Sequence, residues 1–273
     1  MSKRPPSPER MAAVFNRHYN QPDARLYKIG RGLTGVAFWR KYTTVEIHGS
    51  EHLRAVANKR SLIAAEHSSV WDIPDADVVL RRSGHGPVHF VGKLGLLAAG
   101  YGSVLQRMGV MPVFRPERDA DHFGAAIAMA TADNLMKDPH LLLQTKIRQA
   151  AEHNIPTVLF PEGTRHHNMT YEVPLLPLEK GLRTMSLRYR LPVLPLGMAR
   201  AGDAFVAVAG EPLEPTGVNG RRLDREVYGQ AIEAAMVAVA RESYVRVAAL
   251  SDELVQGFDP ADRHRVMDFK QSA

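Results

Sequence analysis

Residues 61–72, SLIAAEHSSVWD, decide the fold: a short apolar run ends abruptly in polar side chains and a helical pattern follows. The run over residues 61–65 predicts a buried strand, and the pattern over residues 70–82 predicts a helix. Such a strand–helix unit is typical of α/β sheets, in which ligands bind beyond the carboxyl ends of the strands. His67 and Asp72 therefore stand where such a sheet places its chemistry.

His67 and Asp72 have the side chains of a general base and the carboxylate that orients it. Histidine is a competent base near neutral pH, and a carboxylate sets its tautomer and stabilises the imidazolium. Residues five apart face about 140° away from each other on a helix. The spacing therefore predicts His67 in the turn and Asp72 in the first helical turn, with Ser68 or Ser69 as the N-cap. Taken alone, such a pair is more often structural than catalytic.

A second polar motif, FPEGTR at residues 160–165, also follows an apolar strand, predicted over residues 156–160. Gly163 permits a tight turn, and the planar fork of Arg165 matches phosphate oxygens. Glu162 either accepts backbone N–H bonds and anchors the turn, or holds Arg165 in place. A strand-end turn with a surface ion pair remains the alternative.

The two motifs together resemble those of the glycerophospholipid acyltransferases, the group that includes lysophosphatidic acid acyltransferase. That family has a histidine and an aspartate separated by four residues, as in His67 and Asp72, and later a Glu-Gly-Thr-Arg motif, matched by residues 162–165. Between them it has a glycine, apolar residues and an arginine, for which residues 109–115 are the best match. The resemblance covers residues 43–215.

The resemblance implies an enzyme that moves a fatty acyl group from acyl-coenzyme A or acyl-carrier protein to a hydroxyl of a lysophospholipid or glycerol phosphate. It implies direct transfer without an acyl-enzyme and without a cofactor. The residues themselves predict no metal site, since His166 and His167 have no third ligand at a sensible spacing, and they show no nucleic-acid-binding module. The implied catalytic residues are His67, as the base, and Asp72. The implied substrate-binding residues are Arg115, Glu162, Gly163, Thr164 and Arg165.

Two departures from the family pattern bear on the substrate. Glu66 replaces the asparagine that commonly precedes the histidine, which puts a second carboxylate next to the base in sequence. The stretch between residues 115 and 162 is longer than usual. A glycolipid, polyol or other acceptor is therefore an alternative, and an inactive peripheral membrane-binding protein on the same scaffold is an alternative of another class.

The rest of the chain alternates strand and helix patterns and contains no internal repeat. We therefore predict a single α/β domain over residues 43–273, with a mixed β-sheet flanked by helices. Further strands are predicted at residues 43–48, 87–91, 110–114, 192–196 and 205–209. Further helices are predicted around residues 11–19, 25–41, 94–107, 120–136, 140–153, 179–190 and 224–254.

Residues 1–42 form a basic, helical N-terminal segment. Residues 1–41 carry nine Lys/Arg against two acidic residues, whereas the remainder has 26 basic and 27 acidic residues. Apolar residues at helical spacing within 25–41 favour either an anionic membrane surface or packing on the domain. In the first case residues 1–41 can be deleted without unfolding the rest.

The chain has no cysteine, so disulfides and thiol chemistry are excluded. It also has no apolar stretch long enough to cross a membrane. The expected location is cytoplasmic, with peripheral association at the inner face of the membrane.

Overall fold

In a computed structural model, residues 22–69, 71–93, 102–113, 139–166 and 173–251 are described. Within these ranges the strands are β1 (Thr44–His48), β2 (Leu62–Ala65), β3 (His89–Lys93), β4 (Val110–Val113), β5 (Thr157–Leu159), β6 (Val193–Ala201) and β7 (Ala204–Ala209). The helices are α1 (Ala24–Lys41), α2 (Ser50–Val56), α3 (Asp72–Arg82), α4 (Gly102–Arg107), α5 (Pro139–Glu152), α6 (Gly181–Tyr189) and α7 (Arg225–Leu250).

The seven strands form one mixed sheet in the order β1-β7-β6-β2-β5-β3-β4. Neighbouring strands are parallel except for β6 and β7, which form an antiparallel hairpin. Strand β2 lies between β6 and β5, and none of its four residues has measurable solvent exposure. A strand covered on both faces needs a continuous apolar run, which explains the LIAA sequence. The predicted mixed sheet flanked by helices is confirmed.

The parallel pairing of β2 and β5 brings the two sequence motifs together. Leu62 is in register with Thr157, and Ala64 with Leu159. Because parallel strands end at the same edge of a sheet, the segment after β2 and the turn after β5 lie side by side. Residues nearly 100 positions apart in sequence thereby meet at one edge.

Alternate residues of the central strands face two different layers of helices. Ile63 packs in a cluster with side chains of α1, α2 and α3, whereas Leu62 packs with side chains of α5, α6 and α7. This alternation follows from the two-residue period of a strand. Continued beyond β2, it directs His67 toward α3 and Glu66 toward α7.

Helix α1 presents a buried face to the domain and an exposed apolar face to solvent. Its N-cap, Asp23, accepts hydrogen bonds from the next backbone N–H groups, and Phe38 is buried in the core cluster beside α3. Gly30 lies close to Met108, and a β-carbon there would overlap the terminal methyl group of that flexible side chain unless it moved. Packing on the domain is thus observed for the buried face, whereas Leu33 on the other face is 68% exposed and the membrane interpretation of residues 25–41 stays a prediction.

Two elements differ from the predicted secondary structure, and two predicted helices lie outside the described residues. Helix α2, which follows the left-handed turn at Gly49, was not predicted. Strand β6 extends to Ala201, five residues beyond the prediction, because its hairpin with β7 supplies a partner for each added residue. The predicted helices at 11–19 and 120–136 lie outside the described residues.

In the parts of the chain that the structure describes, no helix has the length and apolarity to cross a membrane.

Candidate active site

His67 and Asp72 are hydrogen-bonded at the carboxyl end of β2. The Nδ1 atom of His67 lies 2.7 Å from Oδ2 of Asp72, which is the first residue of α3. Because this carboxylate accepts the Nδ1 proton, Nε2 is the ring nitrogen left to accept another proton. The imidazole is 16% exposed, whereas the aspartate is fully buried. This is the arrangement of a general base with its orienting carboxylate.

The carboxylate of Asp72 also folds the preceding loop back onto itself. Its Oδ2 atom accepts the backbone N–H groups of Ser68 and Ser69, each at 2.9 Å. The predicted serine N-cap is wrong: Trp71 occupies the N-cap position and makes no side-chain cap. Instead, the side chain of Asp72, within the first turn of the helix, accepts the backbone N–H groups of the loop. The helix dipole also favours a negative charge at this position.

The second oxygen of Asp72 contacts a residue that the sequence did not single out. Oδ1 lies 2.8 Å from Nη2 of Arg200, which is 2% exposed near the end of β6. An arginine in an otherwise apolar strand, LPLGMARA, is the signal that points to it, because buried arginines are almost always paired.

Glu162 connects the EGTR motif to the segment that carries His67. Its Oε1 accepts the backbone N–H of His67 at 2.8 Å, and its Oε2 accepts that of Leu176 at 2.9 Å. Of the two roles considered for Glu162, anchoring backbone is the one the structure shows. Burial, partly offset by these hydrogen bonds, raises the pKa of Glu162 to about 7.

The His67 ring is further held by stacking and by a backbone bond. The centroids of the His67 and Phe160 rings are 4.7 Å apart, with the planes tilted by 30°. The carbonyl of His67 accepts the N–H of His166 at 2.8 Å. The ring makes no hydrogen bond besides that to Asp72 with any residue the structure describes.

The turn after β5 carries the predicted substrate-binding residues. Gly163 adopts a positive φ of 71° and donates to the carbonyl of Phe160, as the tight turn requires. Thr164 and Arg165 are half-buried. Arg165 forms no ion pair with a described residue, so the surface ion pair considered as an alternative is not seen there. Arg115 lies outside the described residues.

Glu66 lies on the face of the sheet opposite to His67, not beside the base as its sequence position implied. Its Oε1 accepts a hydrogen bond of 2.9 Å from the hydroxyl of Tyr244 on α7. Burial raises the pKa of Glu66 well above its usual value. Tyr244 was also missed by the sequence, because nothing in a long helical pattern marks one buried tyrosine.

A His–carboxylate pair beyond the ends of buried parallel strands is typical of an α/β enzyme that uses general-base catalysis. The family model described as Acyltransferase matches residues 44–199, more than half of the chain, and the chain belongs to that family. The match includes both sequence motifs and ends one residue before Arg200.

The fold is similar to that of a solved acyltransferase. The crystal structure of the 1-acyl-sn-glycerophosphate (LPA) acyltransferase PlsC from Thermotoga maritima matches with a TM-score of 0.53 and 17% identity, covering 78% of each chain. At that identity the likeness shows the fold. No curated protein sequence matches the chain.

Proposed function

We propose that this protein transfers a fatty acyl group from a thioester donor, acyl-coenzyme A or acyl-carrier protein, to a hydroxyl of a phosphorylated glycerolipid. The observation that carries the proposal is the 2.7 Å bond between His67 and Asp72, made through Nδ1. This bond leaves Nε2 as the proton acceptor at the strand-end edge of a member of an acyltransferase family. The similar Thermotoga enzyme is a 1-acyl-sn-glycerophosphate acyltransferase, in line with this acceptor class.

The reaction transfers the acyl group in one addition and one elimination. The acceptor oxygen attacks the thioester carbonyl carbon while its proton passes to Nε2 of His67. Collapse of the tetrahedral intermediate breaks the carbon–sulfur bond, and the imidazolium returns the proton to the departing thiolate. Asp72 stabilises the imidazolium between these two steps. The chain needs no nucleophilic cysteine, and it has none.

Arg165 is the residue proposed to bind the acceptor phosphate. It belongs to the turn whose neighbour His166 donates its backbone N–H to the carbonyl of His67. The base and the guanidinium are therefore carried by segments that are bonded to each other. A phosphate bound to Arg165 would hold the acceptor hydroxyl near the base. The binding energy of the phosphate would then position the reacting groups and lower the entropic cost of the reaction. Arg115 remains a proposed second ligand of the phosphate.

The exposed face of α1 is the proposed contact with an anionic membrane surface. Ile29, Leu33 and Val36 are 60%, 68% and 59% exposed and form one stripe along the helix. Trp39 continues the stripe at 49% exposure. A row of large apolar side chains facing water is unusual for a soluble surface and typical of interfacial helices.

Basic and aromatic side chains connect this stripe with the catalytic loop. Arg25, Lys28 and Arg40 are exposed on the same helix. The ammonium of Lys41 lies 4.9 Å from the ring centre of Trp71, which immediately precedes Asp72. A bilayer held against α1 would therefore lie near the entrance to the site, where an acyl chain must arrive. Residues 1–42 act in this proposal as the membrane-facing segment of the enzyme.

An acceptor screen tests the proposed function. Purified protein is incubated with radiolabelled acyl-coenzyme A, or acyl-carrier protein, and with lysophosphatidic acid, glycerol-3-phosphate or a glycolipid. We expect labelled product with a phosphorylated acceptor and none from His67→Ala, while His153→Ala, an exposed histidine at the end of α5, serves as the matched control. Product from the glycolipid alone would overturn the phosphate-bearing acceptor, and no product from any pair would favour the inactive binding protein.

A further inference from the structure

Arg200 is the centre of a buried polar cluster behind the catalytic pair. Its Nη2 lies 2.8 Å from Oδ1 of Asp72, and its Nε lies 2.8 Å from Oδ2 of Asp75. Nη1 donates to the hydroxyl of Ser68 at 3.2 Å, and Nε also reaches the hydroxyl of Tyr42 at 3.0 Å. One guanidinium therefore contacts the catalytic carboxylate, the loop before it and the next turn of α3.

Two buried carboxylates in the cluster share Arg200, and the partly buried ammonium of Lys41 also acts on both. Asp72 and Asp75 are 0% and 1% exposed, and both contact Arg200. Burial raises the pKa of Asp75 against the opposing effect of Arg200. The pKa of Arg200 is itself raised, despite burial, mainly by Asp72 and Asp75. A buried carboxylate without a cation takes up a proton instead of remaining charged.

We propose that Arg200 is a positioning residue that keeps Asp72 an oriented anion, and thereby keeps His67 a competent base. The claim rests on the proposed acyl transfer by His67. Oδ2 of Asp72 is directed by three donors, His67 and the backbone of Ser68 and Ser69. Oδ1 has Arg200 as its charged contact among the described residues.

Loss of the guanidinium would leave Oδ1 buried without its charged contact. The carboxyl group then turns toward other donors, and the imidazolium of the transition state loses an oriented negative charge. An Asp72→Asn substitution has this consequence more directly. Arginine suits this place better than lysine, because its three nitrogens contact both carboxylates and a hydroxyl at once, with the contact to Oδ1 of Asp72 made as a close ion pair.

Four variants separate this role from simple support of the fold. Arg200→Gln removes the positive charge, and Arg200→Lys keeps it. Asp75→Asn removes the carboxylate that competes with Asp72 for Arg200, and it leaves the contact between Arg200 and Asp72 in place. The double variant Arg200→Gln/Asp75→Asn replaces the ion pair with neutral partners, so that no unpaired aspartate remains at position 75. Arg81→Gln, which removes the charge of another arginine in contact with α3 residues but away from the site, is the control. Thermal unfolding verifies that each protein is folded.

We expect Arg200→Gln and the double variant to lower kcat by about 10- to 100-fold with nearly unchanged KM values, the range for partners that orient a histidine–carboxylate unit in metal sites. Arg200→Lys should recover part of this loss, and Asp75→Asn should lose less than Arg200→Gln. A double variant with wild-type kcat would overturn the proposal, since Arg200 would then serve only to neutralise Asp75. A loss confined to KM would overturn it as well.

A measurement without substrate distinguishes failure of this inference from failure of the proposed function. The Nδ1 proton shared with Asp72 should give a low-field proton NMR resonance, assigned by its absence in His67→Ala. We expect the resonance to persist in Arg200→Lys and to move or vanish in the double variant. An unchanged resonance in the double variant contradicts the positioning role. A wild-type protein that shows this resonance but no turnover would instead refute the proposed function alone.

Discussion

The side chain of Glu162 accepts the backbone N–H of His67 at 2.8 Å, so the EGTR motif physically holds the histidine loop. The other carboxylate oxygen accepts the N–H of Leu176, which follows the motif. The glutamate therefore ties three separate backbone segments together at the edge of the sheet. Glu162 therefore has a structural role in the motif. A contact between Glu162 and the substrate stays a prediction.

Exchange of Glu162 for glutamine should lower kcat by about 10- to 100-fold, since a shift of the base by about 1 Å can reduce a rate 100-fold. Glutamine has one acceptor oxygen, so one of the two backbone N–H groups would face an amide N–H instead. Steady-state kinetics of Glu162→Gln measures this effect, with Glu179→Gln, an exposed glutamate before α6, as the control. Unchanged kcat in the folded variant would mean that the loop keeps its geometry without the carboxylate.

The raised pKa of Glu162 predicts a pH-dependent stability. In the unfolded chain its pKa is near 4.5 and in the folded protein about 7, so between these values the folded state binds more protons. Stability from this group is therefore present below about pH 4.5 and is lost as the pH rises through 7, by on the order of 3 kcal/mol.

Chemical denaturation of wild type and Glu162→Gln across pH 4.5 to 7.5 tests this dependence. The wild-type unfolding free energy should fall with pH more steeply than that of the variant. A residual slope of the same sign is expected in the variant, since burial raises the pKa of Glu66 too. Parallel curves for the two proteins would show that Glu162 titrates normally in the folded state.

Arg165→Lys should raise the KM of the phosphorylated acceptor more than that of the thioester donor. Lysine keeps the charge but cannot form the two parallel hydrogen bonds of a guanidinium with phosphate. Arg188→Lys, an exposed exchange on α6, is the matched control for the same chemical change. Equal effects on both KM values would contradict a dedicated role in acceptor binding.

Arg115→Ala extends the same measurement to the second proposed phosphate ligand. A selective rise in the acceptor KM would support the assignment, whereas a silent exchange would show that residues 109–115 were matched to the wrong family segment.

Replacement of the α1 stripe by serine, Ile29→Ser/Leu33→Ser/Val36→Ser, should weaken binding to anionic vesicles by more than about tenfold. Each exposed apolar side chain gains on the order of 1 kcal/mol or more when it enters the interface, and the exchange removes little from the core. Vesicle sedimentation at several salt concentrations measures this, because the basic residues contribute a part that salt screens.

Val218→Ser/Val227→Ser, which removes two exposed valines elsewhere, is the control for that experiment. Undiminished binding by the α1 variant would place the membrane contact on another surface. Deletion of residues 1–41 is a poorer test than the sequence implied. It removes Phe38 from the core, and we expect the truncated protein to unfold.

The sequence predicted the strands of the central sheet, because they are short apolar runs with polar ends, but it did not predict their order in the sheet. The buried run of β2 and the polar residues after it located both the strand and the edge at which His67 and Asp72 lie. The sequence placed both polar motifs after apolar strands, so that they could meet at one edge, but it did not predict that β2 and β5 are neighbours. The strand patterns are local, and the structure reproduces them within two residues, except that β6 extends five residues beyond its prediction.

The roles of Arg200 and Tyr244 could not be predicted from the sequence, because their partners are distant along the chain. Arg200 lies 128 positions after Asp72, and Tyr244 lies 178 positions after Glu66. Only the alternation of strand faces, once β2 and β6 are known to be neighbours, directs Arg200 and His67 to the same side. The serine N-cap failed for a related reason, since local propensity did not anticipate that Asp72 would bind the loop itself.

The most direct test of the account is single-turnover acyl transfer by His67→Ala, with Asp72→Asn beside it. Loss of a general base typically reduces the rate by about 10²- to 10⁴-fold, and a mis-set tautomer by up to about 10⁴-fold. With labelled acyl-coenzyme A and the best phosphorylated acceptor, we expect His67→Ala to form no product above background and Asp72→Asn to be severely slowed. A folded His67→Ala protein that transfers the acyl group at nearly the wild-type rate would contradict the assignment of His67 as the base.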